Sequence, residues 1–284
     1  MRTSVAKPGV GTVTSSRPVR MAGMEAKKIH DPDMMSMIEA ESDNFKFTTK
    51  RLGSTVELVE DFQELYKTLA GFVFIPDGGD ATDAAKVAML ALQLLMKARG
   101  NLLVGSITLL RAYRGNSLLL LRGAIEACAF AAHIRRKPEL ADVWLNAGSG
   151  HEAYRTYKRQ FKNLFPKDDL LLQELYERYD RCSQVIHSSL YSMAGHVQYP
   201  DDDQVMSLRF NLFDLPGDHS IVTSLYFALD THRRILRKFA EVLAGEIKAN
   251  ALVWEVRFNS VEAKLDVHRE KWKSVVPNPA KAGP

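Results

Sequence analysis

From Ser54 onward, apolar positions recur every three or four residues, the period of an α-helix with one buried face. Val56, Leu58, Val59, Phe62, Leu65, Tyr66 and Leu69 form the first such stripe, which ends at the turn sequence Pro76-Asp77-Gly78-Gly79-Asp80. Asp80 or Thr82 can cap the next helix, over 84–98, which stops near Gly100. A short apolar helix follows over 102–112, kinked at Gly105. Arg114-Gly115-Asn116-Ser117 then breaks the pattern, and Asn116 or Ser117 can cap a helix over 118–136. Lys137-Pro138 closes that helix, because the residue before a proline is steered out of the α region. Shorter helices are predicted over 139–146 and 151–163, then longer ones over 168–193, 218–244 and 248–273.

One segment departs from this rhythm. Met206, Leu208, Phe210 and Leu212 alternate with Ser207, Arg209 and Asn211, a period of two that predicts an extended or hairpin segment near 204–213. Residues 1–50 show little apolar periodicity and read as a disordered basic tail and linker, with Met21 or Met24 as alternative starts. Residues 276–284 read as a second tail. The expected architecture is therefore all-α, an antiparallel helical bundle forming one domain over 51–275.

Charge changes this picture only locally. The chain of 284 residues carries a formal +4. Residues 1–30 hold six Lys/Arg and one acid, a net +5, which leaves the remainder at −1. A global basic field for nucleic acid is thus absent from the body. The one local patch is Lys158, Arg159, Lys162 and Lys167. It interleaves with Tyr154, Tyr157, Phe161, Phe165 and Tyr176, whose helical spacing assigns them to the core. The two cysteines, Cys128 and Cys182, form no CxxC or Cys/His cluster, so a reducing, cytoplasmic setting is expected, with no metal and no cofactor. Charged residues interrupt the apolar stretch Leu102–Ile134, so no membrane span is expected. Gly100–Ser106 resembles a phosphate loop but has no lysine, and Ser149 stands outside any strand-turn-helix context.

Two helices carry the polar groups of interest. In 118–136, Arg122, Glu126 and His133 fall within about 40° of one another on the helical wheel, at about 100° per residue. Arg122 and Glu126 are spaced for an i,i+4 ion pair, and the stripe can line a pocket in which Arg122 binds an anion. In 168–193, Leu172, Leu175, Tyr179, Cys182, Ile186, Leu190 and Met193 make a buried seam. The other face presents Glu177, Asp180, Arg181, Gln184, His187, Ser188 and Tyr191. His187 has the side chain suited to acid/base work near neutral pH. Arg181 and His187 lie about 120° and about 9 Å apart, so any site that uses both needs a second surface.

Arg181-Cys182-Ser183-Gln184-Val185-Ile186-His187 resembles the R-x(4–6)-H motif of the HEPN superfamily of helical domains, and the segment Leu120–Ala127 resembles HEPN-like bacterial and phage proteins of unknown function. The resemblance implies a homodimer in which paired arginines and histidines form a metal-independent endoribonuclease site. His187 would activate the ribose 2′-hydroxyl, Arg181 would bind the scissile phosphate, and Glu126 would assist from the earlier helix. Arg122, Gln184, Ser188, Tyr191 and Lys158 would contact the RNA. An antitoxin or a phage-defence partner is implied as well. The alternatives are a non-catalytic helical binding or scaffold module, and a small-molecule pocket lined by Arg122, Glu126 and His133.

Overall fold

The protein is described here by a computed structural model covering residues 34–75, 82–145, 155, 159, 162–186, 197–198, 209–210 and 218–275. Among these residues the order is α1 (Met34–Arg51), α2 (Gly53–Phe72), α3 (Asp83–Leu110), α4 (Arg114–Arg136), α5 (Leu140–Leu145) and α6 (Leu170–Ile186). Then come β1 (Val197–Gln198), β2 (Arg209–Phe210), α7 (Asp218–Val242), a 3₁₀ turn (Lys248–Asn250) and α8 (Ala251–Val275). The fold is all-α, as the periodicity predicts. Of the extended segment expected near 204–213 only Arg209 and Phe210 are described, and they pair antiparallel with Gln198 and Val197.

Helix α4 occupies the centre, packing on α3, α6 and α7. Its composition explains why: Ala124, Ala127, Ala129, Ala131 and Ala132 are all buried, and small side chains let neighbouring helices approach closely. One continuous apolar cluster runs from Leu52 to Leu265 and takes in Phe62, Tyr66 and Leu69 of α2, Leu90, Leu95 and Leu102 of α3, and Leu229, Leu236 and Phe239 of α7. Each fully buried Leu or Phe contributes roughly 1.5–3 kcal/mol of transfer free energy. By length and composition α3 and α4 could each cross a membrane, but 44% and 67% of their apolar windows are buried inside the bundle.

Three local departures from the sequence pattern have physical causes. Residues 34–51, expected as linker, form α1, which turns into α2 at Leu52. Its apolar Met34, Met35, Ile38 and Phe47 are exposed, so no buried stripe marked it. Next, α3 runs unbroken through Gly100 and Gly105, because Gly105 sits against Ser117 and Leu120 of α4 and serves that contact. The break falls instead at Ala112, whose φ of 67° is the left-handed conformation that ends a helix, with Tyr113 N–H donating to the Thr108 carbonyl. Consequently α4 starts at Arg114, not after Asn116. Thr82 caps α3 as expected, accepting from Ala85 N–H at 3.3 Å.

Asp169 sets the position of α6. Its carboxylate caps the helix through Leu172 N–H at 3.1 Å, and it pairs with Lys238 of α7 at 2.6 Å and Arg136 of α4 at 3.6 Å. One side chain thus joins the start of α6 to two neighbouring helices.

Candidate functional site on α4, α6 and α7

The buried seam of α6 is Leu172, Leu175 and Cys182, all without exposed surface. At about 100° per residue, Tyr179 lies about 60° to one side of Cys182 and Arg181 about 100° to the other. Tyr179 therefore meets α4 while Arg181 meets α7.

On the α4 side, Arg122 donates to the Tyr179 hydroxyl at 2.7 Å, and its guanidinium stands 4.7 Å from that ring. The expected Arg122–Glu126 pair is present at 3.3 Å and is only partly buried. Burial, together with the Glu126 carboxylate, holds the Tyr179 phenol above its ordinary range. Tyr179 stacks with Tyr176 at 17° and packs on Phe165, whose segment is tied to α6 by Gln173 donating to the Phe165 and Pro166 carbonyls. Tyr176, assigned to the core from its spacing, is 46% exposed. Lys162 and Lys167 flank this aromatic cluster in the chain and are exposed.

On the α7 side, the guanidinium groups of Arg178 and Arg181 lie 5.3 and 5.5 Å from the Phe227 ring. Those residues, with Glu177, Tyr226, Asp230 and Arg269, line a cleft of about 280 Å³. Asp230 is the electrostatic centre of this wall. It pairs with Arg178, with Arg233 at 2.6 Å and with Arg234 at 2.7 Å. Burial opposes its charge, but the three guanidinium groups outweigh burial and hold the carboxyl below its ordinary range. Between the two sides, Arg114, Arg122, Arg178 and Arg181 all lie close enough to stabilise a Cys182 thiolate; burial still dominates and pushes the thiol up to about 12.

The predicted residues thus divide. Arg122 and Glu126 come together, with Tyr179 added. Arg181 lies across the seam of α6 from Glu126, facing Phe227. Gln184 is exposed and donates to Asp180 at 2.7 Å. His133, expected on the same stripe as Arg122, is only 5% exposed, because α4 is enclosed at that end. His187, Ser188, Tyr191 and Lys158 lie outside the described residues. Among the described residues, no group of three His, Cys, Asp or Glu side chains could hold a metal ion.

Sequence reasoning did not single out Tyr176, Phe227, Asp230, Tyr226 or His268 as site residues. Asp230 carried a readable signal, since Arg233 and Arg234 follow it at i+3 and i+4. Tyr176 carried one as well, its i,i+3 spacing to Tyr179, whereas Phe227, Tyr226 and His268 carried none, because their partners are on distant helices. Compared with protein-family models, curated proteins and solved structures, the chain has no match.

Proposed function

We propose that the protein binds RNA on the face formed by α4, α6 and α7 and cuts it as a HEPN-type, metal-independent endoribonuclease acting as a homodimer. The observation that carries the RNA reading is the cation–aromatic cluster: Arg122 over Tyr179, Tyr179 stacked on a half-exposed Tyr176, and Phe165 beside both. Unpaired bases stack on such aromatic faces, and neighbouring arginines and lysines meet the phosphates. In the catalytic step His187 takes the 2′-hydroxyl proton and Arg181 neutralises the phosphate as the internal oxygen attacks it.

The separation of Glu126 from Arg181 across α6 favours a site completed by a second copy, because a two-fold axis brings equivalent helices face to face. Two free, buried thiols fit a reducing, cytoplasmic setting.

The test is RNA cleavage by the purified full chain in the presence of a chelator. The expected products end in a 2′,3′-cyclic phosphate, and His187→Ala abolishes them. Equal treatment of RNA by the wild type and His187→Ala overturns the catalytic reading. The second reading, a non-catalytic RNA-binding module, is favoured by the commitment of Arg122 and Arg178 to internal partners. It predicts binding that is weakened by Tyr176→Ala, without any cleavage.

A further inference from the structure

Three side chains from three helices meet away from the α4 face. Ser54 stands in the first turn of α2, Tyr226 on α7 and His268 on α8. Nε2 of His268 lies 2.8 Å from Ser54 Oγ, and Nδ1 lies 2.6 Å from the Tyr226 hydroxyl. That hydroxyl also lies 3.3 Å from the His268 carbonyl, which can only accept.

A phenol has one proton. If Tyr226 donates it to the carbonyl, it must accept from Nδ1–H, and the lone pair of the imidazole is then on Nε2, facing the Ser54 hydroxyl. This tautomer satisfies all three contacts. The opposite tautomer leaves the carbonyl against a hydroxyl oxygen with no hydrogen between them.

We propose that Ser54 is a nucleophile, with His268 as its general base and Tyr226 as the residue that positions the base, in a second site that hydrolyses small carboxylic esters. Four features of the surroundings suit this chemistry. Ser54 is exposed, and apart from its chain neighbours and its own helix backbone nothing lies within 4 Å of the point where a side chain on Gly53 would begin, which leaves the first turn of α2 open to solvent on that side. The amides of Thr55 and Val56 are taken up by the Leu52 carbonyl, so the oxyanion draws on the dipole of the first turn of α2 and not on those two N–H groups. Tyr226 is 8% exposed and fixed by packing. Burial and Lys271 on α8 hold His268 below its ordinary range against the pull of Glu57 on α2, which keeps the base unprotonated near neutral pH; Arg269 acts on the Tyr226 phenol.

The reaction balances with water alone. Ser54 Oγ bonds to the ester carbonyl carbon while its proton passes to His268 Nε2. The tetrahedral adduct then expels the alkoxide, which takes that proton and leaves as the alcohol. Water next attacks the acyl-serine, giving one proton to Nε2. The acid departs and the proton returns to Ser54 Oγ.

Tyr226 also lines the cleft beside Arg181, but Ser54 and His268 are not among the residues that line it, and Ser54→Ala leaves RNA cleavage unchanged. The test treats the full chain with a fluorophosphonate probe, reads the intact mass, and follows hydrolysis of 4-nitrophenyl butyrate. One adduct is expected, mapped to Ser54 and absent in Ser54→Ala. Ester turnover should fall by about a hundredfold or more in Ser54→Ala and in His268→Asn. Tyr226→Phe should keep the adduct, form it more slowly and move the acid limb of the rate profile to lower pH, because the phenol oxygen stabilises the imidazolium more than the neutral ring. A wild type that gains no adduct, or a Ser54→Ala chain that gains it equally, overturns the proposal. An unchanged rate and pH profile in Tyr226→Phe overturns the positioning role.

Discussion

The Tyr66 hydroxyl and Nδ1 of His232 lie 2.7 Å apart in the middle of the bundle, with both side chains sealed from solvent. The rings meet edge to face, with centroids 5.8 Å apart, and the contact joins α2 to α7 across 166 positions of sequence. Burial drives the imidazole down to about 3 and the phenol well above its ordinary value, so both groups stay neutral over the working range. A neutral pair that shares one hydrogen bond can be buried without the cost of desolvating a charge.

Acid should destabilise the fold through His232. An unfolded imidazole takes up a proton near pH 6.5, whereas the folded one does so only near pH 3. The contribution is fully present above about pH 6.5 and is lost as pH falls toward 3, by about 1.4 kcal/mol per unit. Urea midpoints at pH 8, 6 and 5 should fall in that order, and His232→Gln should flatten the slope. His268, also shifted down, adds to the loss in the same direction.

Removing only the Tyr66 hydroxyl leaves Nδ1 of His232 buried and unpaired. Tyr66→Phe should cost about 1–3 kcal/mol in denaturant unfolding. The same change at half-exposed Tyr176 should stay within about 0.5 kcal/mol.

Asp230 bridges three guanidinium groups with a single carboxylate. Asp230→Asn keeps the shape but removes the negative charge between Arg178, Arg233 and Arg234, of which Arg233 keeps Glu262 and Arg234 keeps Glu174, and a loss of about 1–3 kcal/mol is expected. Denaturation at low and high salt checks the cause. Screening should narrow the gap between the wild type and the variant.

The two thiols should be inert in the folded protein. Burial raises both, Cys182 to about 12 and Cys128 further. Iodoacetamide at pH 8 should leave the native mass unchanged and add two groups in denaturant. Rapid native labelling at either cysteine would contradict the burial of α4 and α6.

Arg181 is exposed over Phe227, so Arg181→Ala should leave the unfolding midpoint nearly unchanged. If it contacts a phosphate, the slope of log affinity for single-stranded RNA against log salt should fall by about 1. Tyr176→Ala should weaken RNA binding by about 1–3 kcal/mol with the slope preserved, because stacking carries no charge.

Much of the fold was legible along the chain because helical burial is a local pattern. The seam of α6 could be read from its own spacing, and Leu172, Leu175 and Cys182 are indeed buried. Thr82 could be named as a cap from one residue and its place. The i,i+4 pair of Arg122 and Glu126 needed only the helix. By contrast, α1 could not be recognised, since its apolar residues face solvent and only Thr48 is buried. Gly105 looked like a kink, yet α4 packs against it.

Residue order alone determined the all-α class, the inward faces of α2 and α6, and the near-neutral balance of the body, because each depends on composition or on residues within one or two turns. Tertiary structure decided which polar groups share a site. It set Arg181 against Phe227 of α7 and Glu126 against Tyr179 of α6, and it brought Ser54 to His268 across 214 positions. The angles at which helices cross fix such meetings, and these depend on side chains throughout the core.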